Sequence, residues 1–227
     1  MDIYGQALSD YYYKNQPETL WLNNSYAEPE EMPVEVFFRG KEDMPELELK
    51  ALSLCKGRIL DVGAGVGSHA LLLQEAGHDI TAIDISEKAV EIMQARGVRN
   101  AYVQDILKLN EKYDTLLFLM NGIGLTGTLK GLAAFLELAK SFLNPGGQLL
   151  FDSSDISYLY TAAPLPEHHY FGEIRFQYEY KGQIGKWFKW VYVDQVMLKQ
   201  MTYAAGWQME KLYEDGNDQY LVRLTLI

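Results

Sequence analysis

The sequence has very little of the chemistry that builds disulfides or metal sites. Cys55 is its only cysteine, and its four histidines are scattered, without the spacing of zinc ligands. Apolar runs are short as well: the run from Tyr113 to Met120 is far below the length of a membrane span, and the start of the chain has no basic and apolar leader. We therefore expect a soluble cytoplasmic protein with no metal and no membrane partner.

Positive charge is also scarce. The chain carries 20 lysines and arginines against 31 aspartates and glutamates, a formal net charge of -11. Such a surface repels a phosphate backbone unless a local basic patch opposes it, and no such patch is visible. We expect no nucleic-acid partner, and we interpret the excess acid as a solvated surface. No residue pattern indicates the oligomeric state.

The chain has 227 residues, 48% of them hydrophobic, which is enough for one domain with a sizeable core. The pattern changes near residues 57 and 153. We expect residues 1–56 to form an N-terminal helical cap and lead-in helix. Residues 57–152 would form an alternating core, and residues 153–227 an inserted hairpin, a last helix and closing strands.

Within the core, apolar and amphipathic runs alternate. They predict strands and helices in turn: strands at 58–62, 79–84, 100–103, 113–120 and 148–152, and helices at 68–76, 87–96 and 128–143. This order predicts an α/β fold with a mostly parallel sheet, whose ligands bind beyond the carboxyl ends of the strands. Ser86 is expected to cap the second of these helices.

The flanking segments follow other patterns. Alternating residues predict a hairpin of strands at 176–180 and 187–193, then a helix at 195–205 capped by Asp194. A closing hairpin is predicted at 207–213 and 219–227, with its last strand antiparallel in the sheet. Before the core we expect a helix at 3–14, an irregular stretch and a helix from about residue 44.

The strongest motif is the glycine-rich turn within residues 59–68, Ile-Leu-Asp-Val-Gly-Ala-Gly-Val-Gly-Ser. Without Cβ atoms such a turn adopts positive φ and lets an adenosyl group lie against the backbone amides of Gly63, Ala64 and Gly65. The third glycine comes one position earlier than in the dinucleotide fingerprint, where this chain has Ser68. The spacing therefore disfavours NAD.

Three acids stand at the ends of three successive predicted strands. Asp61 precedes the glycines, where a carboxylate suits the ammonium of a methionine moiety better than a pyrophosphate. Asp84 is placed to accept both hydroxyls of a ribose, as in NAD enzymes too. Asp105 is placed to accept from an adenine amino group, with Ile85 and Ile106 flanking the ring. Each acid alone is also compatible with a helix cap or a solvated strand end.

Residues 58–152 closely resemble the class I S-adenosylmethionine-dependent methyltransferases of the Rossmann-like, small-molecule type. The resemblance rests on the glycine motif, on Asp84 as the ribose acid, on Asp105 as the adenine acid and on Leu-Asn-Pro-Gly-Gly at 143–147 before the fifth strand. It implies a three-layer sandwich around a seven-stranded sheet whose final strand alone is antiparallel. It also implies S-adenosylmethionine as methyl donor, and it leaves the acceptor open.

Two candidate catalytic residues follow later strands of the core. Asn121 stands at the usual mouth of the acceptor pocket in this fold. Gly122 and Ile123 replace the prolines of the Asn-Pro-Pro-Tyr motif that marks methylation of nucleic-acid or glutamine amino groups. Met120, beside Asn121, is assigned to the cofactor. Asp152 is a candidate base. Asn121 is equally typical of a turn, and Asp152 of a carboxylate bonded to the serine amides that follow it.

The remaining candidates lie outside the core. Tyr11 and Tyr12, with His168 and His169 in the insertion, are candidates for an aromatic lid over the acceptor, although surface packing explains them as well. Arg39 is a candidate clamp for the carboxylate of the cofactor, or an ordinary surface ion pair.

Together these features predict a methyltransferase that acts by in-line displacement on oxygen or nitrogen of a small molecule, with a protein acceptor left open. Two alternatives remain open at this point. The first is a protein that binds S-adenosylmethionine or S-adenosylhomocysteine without turnover. The second is a nicotinamide-dependent oxidoreductase, which the glycine spacing and Asp61 oppose.

Overall fold

The computed structural model describes residues 2–161 and 164–227. Its helices within that part of the chain are α1 (Ile3–Tyr13), α2 (Glu46–Ser53), α3 (Ser68–Glu75), α4 (Glu87–Ala95), α5 (Leu129–Ala139) and α6 (Gln195–Ala204). Its strands are β1 (Leu20–Asn24), β2 (Glu30–Met32), β3 (Arg58–Val62), β4 (Asp79–Asp84), β5 (Ala101–Val103), β6 (Tyr113–Phe118), β7 (Leu143–Ser154), β8 (Glu173–Tyr180), β9 (Gln183–Ile184), β10 (Phe188–Val191), β11 (Trp207–Glu214) and β12 (Gln219–Leu226). No helix in the described ranges is long and apolar enough to span a membrane.

The core strands form a seven-stranded sheet in the order β11-β12-β7-β6-β3-β4-β5. Strand β12 pairs antiparallel with both β7 and β11, whereas β6 with β7 and β4 with β5 pair in parallel. Six strands therefore run in one direction and β12 runs against them, which confirms the predicted Rossmann-like fold. The central strands are nearly continuous apolar runs because helices cover both faces of such a sheet.

Local capping signals are confirmed where the sequence placed them. The Ser86 hydroxyl accepts a hydrogen bond from the amide of Ala89 at 3.0 Å and begins α4. One carboxylate oxygen of Asp194 accepts from the amides of Val196 and Met197, both at 2.9 Å, and begins α6. These bonds satisfy amide donors that a helix start leaves without intrahelical partners.

Three predicted boundaries in the core differ from the structure. Strand β6 ends at Phe118, because Met120 and Asn121 turn the backbone with φ of 58° and 56°. Helix α5 ends at Ala139 and continues as a 3₁₀ turn. The predicted turn at 143–147 lies within β7 as an irregularity, since the pairing with β6 jumps from Leu143 to Gln148.

Helices α1 and α2 lie where the N-terminal helices were predicted, but the stretch between them, expected to be irregular, contains strands. Strands β1 and β2 join a second, five-stranded sheet in the order β10-β8-β1-β2, with β9 paired to β8. Trp21 lies opposite Glu179, and Leu20 lies opposite Met32. The predicted inserted hairpin is therefore present, but it adds strands to a sheet begun near the start of the chain.

The chain divides into two compact units. The first comprises Met1–Met44, Leu60–Leu109 and Arg175–Phe188, and the second Pro45–Ile59, Asn110–Ile174 and Lys189–Ile227. In the first, Ile3 and Leu8 of α1 are buried in one cluster with Ile92 of α4. In the second, the indole nitrogen of Trp207 donates to the carbonyl of Leu136 at 3.1 Å. A single domain stays a prediction.

Candidate functional site

The glycine-rich turn is the first element of the site, and it lies in the first unit. Gly63, Gly65 and Gly67 have φ of 69°, 55° and 81°, values that strain any residue with a side chain. A Cβ on Gly63 would meet no other atom within 4 Å, so open space adjoins the backbone there. At Gly67 a Cβ would crowd Val98 at 2.8 Å, because the start of α3 packs closely on its neighbour. The first glycine thus leaves room for a ligand, and the third serves packing.

The amides of this turn are already used within the protein. Gly63 and Ala64 both donate to the carbonyl of Ile83, at 2.9 and 3.0 Å, and Gly65 donates to Asp84 at 2.9 Å. A ligand would therefore lie against amides that already have partners, and the assignment of Gly63, Ala64 and Gly65 to the cofactor stays a prediction. The turn offers a bare backbone surface, and the acids around it supply the polar partners.

A second layer of contacts holds the turn in place. The Ser68 hydroxyl donates to the carbonyl of Phe37 at 2.7 Å. The Arg96 guanidinium donates to the carbonyl of Val66 at 2.8 Å and to Ser68 at 3.0 Å, and it lies over the ring of Phe38. The turn is therefore held by the end of α4 and by the 3₁₀ helix Val34–Phe38, and these contacts make its shape rigid.

Asp61 is a buried acid beneath the turn. Its side chain is 2% exposed, and its Oδ2 has no hydrogen-bond partner among the described residues. Burial raises the pKa of Asp61 to about 6, with a smaller upward contribution from the charge of Asp84, while the charge of His69 opposes the shift. A buried carboxylate oxygen without a partner is costly in a folded protein, and an ammonium group would satisfy it.

Replacing Asp61 with asparagine is expected to stabilise the ligand-free protein. The ordinary pKa of this carboxyl is 3.8, so the folded state disfavours its ionised form. The stability that Asp61 contributes is present below pH 4 and is lost as the pH rises through about 6. A neutral amide avoids that loss, which amounts to about 1 to 3 kcal/mol at neutral pH, at roughly 1.4 kcal/mol per pKa unit.

Urea unfolding of the two proteins near neutral pH and near pH 5 measures this difference. We expect a higher unfolding free energy for Asp61→Asn near neutral pH and a smaller gap near pH 5. Asp79→Asn, an exposed site on β4, is the matched control. A variant that is less stable than the natural protein at both pH values would contradict the assignment.

Asp84 ends β4, and its carboxylate accepts hydrogen bonds from two backbone amides, one in the glycine-rich turn and one at the start of α4. One carboxylate oxygen accepts from the amide of Gly65, and the other accepts from the amide of Ser86 at 2.9 Å. Burial raises the pKa of Asp84, the two amide bonds oppose the shift, and the charge of Asp2 adds to it. Each oxygen keeps a second lone pair, so the carboxylate can still accept from a ribose.

The three residues predicted to contact the adenine differ in how exposed they are. One carboxylate oxygen of Asp105 accepts from the amide of Leu107 at 3.0 Å and caps a short 3₁₀ helix, while the residue stays half-buried. Ile85 is 77% exposed, whereas Ile106 is 4% exposed. Ile85 therefore presents apolar surface to a ligand, and Ile106 presents little.

Tyr4 also borders this turn, and sequence reasoning missed it. Its hydroxyl lies 3.2 Å from where a Cβ of Gly65 would stand. A helical wheel offers the signal that could have found it, because Tyr4 lies one turn before the buried Leu8. The tyrosines that the sequence singled out lie further along α1: Tyr11 and Tyr12 pack against the ring of Phe38.

Arg39 follows the 3₁₀ helix Val34–Phe38 and is half-buried. His168 and His169 belong to the second unit, where both are exposed and a ring nitrogen of His169 lies 2.9 Å from the carbonyl of Tyr170. The two tyrosines of the predicted lid thus lie in the first unit, and the two histidines lie in the second. The lid and the Arg39 clamp stay predictions.

The second unit holds the turn after β6. Met120 and Asn121 are consecutive residues with left-handed backbone, a conformation that costs free energy in residues other than glycine. Asn121 is half-buried, and its side-chain oxygen accepts from the Ser154 hydroxyl at 3.0 Å. Such strain persists only where neighbouring groups hold the backbone, and it is common at functional sites.

Asp152 is the group that holds this turn. Its Oδ2 accepts from the amide of Asn121 at 2.8 Å and from the side chain of Gln219 at 2.7 Å. These partners replace the serine amides expected from the sequence, and Gln219 was missed because it lies far along the chain. Asp152 is fully buried, which raises its pKa to about 6, and the charge of Glu48 adds to the shift.

The inserted segment covers one side of the same turn. A Cβ on Gly124 would overlap the indole of Trp190, and the amide of Gly124 donates to the carbonyl of Asn121 at 2.9 Å. Glu173 accepts from the amide of Leu129 at 2.9 Å, which ties the insertion to the start of α5. Trp190 therefore contacts the 3₁₀ turn that begins after Asn121, and no pattern in the sequence indicated this contact.

Comparisons with known proteins identify the family of this chain. Residues 37–212 match the family model described as a methyltransferase domain. A methyltransferase from Bacteroides fragilis, solved with S-adenosyl-L-homocysteine, is 39% identical, with a TM-score of 0.92 over 99% of this chain and 94% of that one. A SAM-bound amino pentose methyltransferase from Micromonospora echinaspora, CalS10, is 15% identical with a TM-score of 0.54, over 79% of this chain and 87% of that one, and shows the fold alone.

A curated relative from Bacillus subtilis is YqeM, whose name assigns it methyltransferase activity only provisionally. It is 26% identical over 104 residues, which are 43% of this chain. The match spans 42% of the length of that relative.

Proposed function

Because this chain belongs to the S-adenosylmethionine-dependent methyltransferases, we propose that it methylates an oxygen or nitrogen atom of a small molecule. Bound S-adenosylmethionine supplies a methyl group on a sulfonium, which is the electrophile of the reaction. The protein has to hold the acceptor lone pair in line with the bond that breaks, so its residues act mainly by orientation.

The cofactor residues that we propose fit the chemistry of that group. Asp61 offers a buried, unpartnered oxygen for the ammonium, and Gly63 leaves open space beside the backbone. Asp84 retains acceptor capacity for the ribose, and the exposed Ile85 suits the face of the adenine. Asp105 keeps one oxygen for the adenine amino group.

For the acceptor, we propose Asn121 as the orienting group. Its side-chain oxygen accepts one bond from Ser154 and keeps a second lone pair, and the residue is half-buried. That oxygen can therefore accept from a hydroxyl or amine of the acceptor and leave the attacking lone pair free. Its left-handed backbone is fixed by the bond to Asp152. We assign Asp152 as a positioning residue rather than a base, because its Oδ2 already accepts from the amide of Asn121 and the side chain of Gln219 and so holds the turn.

The contact between Trp190 and Gly124 carries the proposal of a small acceptor. The indole occupies the space that any side chain at Gly124 would need, so the insertion lies directly on the acceptor turn. A turn covered in this way suits a compact ligand better than a polymer. The net charge of -11 also opposes nucleic acid.

Transfer of a radioactive methyl group from S-adenosylmethionine tests this proposal. The protein is incubated with labelled cofactor and, in separate reactions, with a library of small amines, alcohols and acids, with a mixed protein extract, and with RNA or DNA. We expect label in the small-molecule fraction alone. Trp190→Ala should broaden the set of small acceptors that are labelled, since it opens the space beside Gly124.

Label confined to protein or nucleic acid would overturn the small-molecule proposal. Absence of label in every fraction, together with tight binding of S-adenosylhomocysteine, would favour binding without turnover in the conditions used. Trp187→Ala serves as the matched control, because Trp187 is an exposed tryptophan of the same insertion.

A further inference from the structure

Helix α1 precedes the residues that match the methyltransferase family, which begin at residue 37. It is nevertheless fixed to the cofactor unit by polar contacts at its start. One Asp2 carboxylate oxygen accepts from the amide of Gly5 at 2.8 Å and caps the helix, and the other accepts from the Ser86 hydroxyl at 2.6 Å. Lys88 donates to the side chain of Gln6 at 2.7 Å. The start of α1 is therefore held against the start of α4.

These anchors place Tyr4 over the glycine-rich turn. Its hydroxyl comes within 3.2 Å of where a Cβ of Gly65 would stand, and the amide of that same glycine donates to Asp84. The ring stacks on Tyr178 with centroids 5.4 Å apart and meets Phe37 edge-on at 5.2 Å. Both ring contacts fix the direction in which the hydroxyl points.

The hydroxyl is a neutral donor with nothing to donate to. Burial raises the pKa of Tyr4 well above its ordinary value of 10.0, and the nearby charge of Asp84 adds to the shift. In the described part of the chain the hydroxyl makes no hydrogen bond. The hydroxyl is not among the buried atoms that lack a partner, so it is open at the turn, and a ligand there can accept its hydrogen bond.

We propose that α1 forms one wall of the cofactor site and that the Tyr4 hydroxyl hydrogen-bonds to the ribose of the bound cofactor. The ribose is the part that Asp84 would bind, and Tyr4 and Asp84 meet at Gly65. Tyr4 is thus a cofactor-positioning residue contributed from outside the family's matched region. The inference depends on the cofactor and not on the identity of the acceptor.

Calorimetric titration of Tyr4→Phe tests the inference. Phenylalanine keeps the ring contacts and removes only the hydroxyl, and thermal unfolding verifies that the fold is kept. The two ligands are S-adenosylhomocysteine and 5′-methylthioadenosine, which lacks the amino-acid part and keeps the ribose. We expect both to bind about 3- to 10-fold more weakly, the scale of one hydrogen bond.

Tyr13→Phe is the control, because Tyr13 is an exposed tyrosine on the same helix and should leave both affinities unchanged. Unchanged affinity for both ligands in Tyr4→Phe would overturn the inference. A loss for S-adenosylhomocysteine alone would place the hydroxyl at the amino-acid part and would overturn the ribose assignment. If the natural protein bound neither ligand, the cofactor site itself would be refuted, independently of any acceptor.

Discussion

Replacing Asp84 with alanine is expected to weaken the binding of S-adenosylhomocysteine about 10- to 150-fold, the effect of losing roughly 1.5 to 3 kcal/mol of hydrogen bonding to a charged group. Two losses combine in this variant. The ribose loses its acceptor, and the amides of Gly65 and Ser86 lose theirs. Because one of those amides belongs to the glycine turn, the surface that faces the cofactor loosens as well.

Calorimetric titration with S-adenosylhomocysteine measures the change, and thermal unfolding of each variant verifies folding. Asp79→Ala is the matched control, since Asp79 is an exposed aspartate at the opposite end of β4. It should bind the ligand as the natural protein does. If Asp84→Ala bound with unchanged affinity, Asp84 would have to be considered a purely structural cap of the turn.

Much of the cofactor half of this protein could be predicted from the sequence, because its signals are local. Strands β3 and β4 fall where alternation of apolar and amphipathic runs placed them, and Asp84 ends β4 as expected. Ser86 caps α4 within three residues of itself. Each such feature depends on neighbours along the chain, so composition and spacing are sufficient to find it.

Most of the features that were missed depend on contacts between distant segments. Strand β1 pairs on one side with the nearby β2, but on its other side with β8, more than 150 residues later: Leu22 lies opposite Tyr178. Its own alternation, with Leu20 and Leu22 buried and Trp21 exposed, is too short to identify it alone. A single sequence contains no information on such a pairing beyond the weak β-propensity of each segment.

Distance along the chain also explains which site residues could be predicted and which were missed. Asp152 was found because the predicted strand 148–152 ends there, although β7 continues to Ser154. Its partner Gln219 becomes its neighbour only through the pairing of β7 with β12. Tyr4 reaches the glycine turn only because α1 packs on α4. The sequence therefore identifies which strand ends carry chemistry, and the fold decides which other side chains are brought there.

Replacing Asp152 with alanine is expected to lower kcat about 100-fold with little change in the affinity for S-adenosylhomocysteine, because misplacement of a reacting group by roughly 1 Å has an effect of that size. The variant removes the oxygen that accepts from Asn121 and Gln219. The left-handed backbone at Met120 and Asn121 then loses the bond that holds it, and the strained turn relaxes. Turnover is measured with the acceptor that the labelling experiment identifies.

Asp152→Asn separates positioning from base catalysis. An asparagine keeps one oxygen that can accept both bonds, while its amide nitrogen replaces the oxygen Oδ1 that has no partner among the described residues. If Asp152 positions the turn, the asparagine variant retains most of the natural kcat, and kcat of the natural enzyme is level across the pKa of about 6. Both protonation states leave Oδ2 as an acceptor, so ionisation does not break the turn. If Asp152 were a base, the asparagine variant would be as inactive as the alanine variant, and kcat of the natural enzyme would fall tenfold per pH unit below about 6 as the carboxylate becomes protonated.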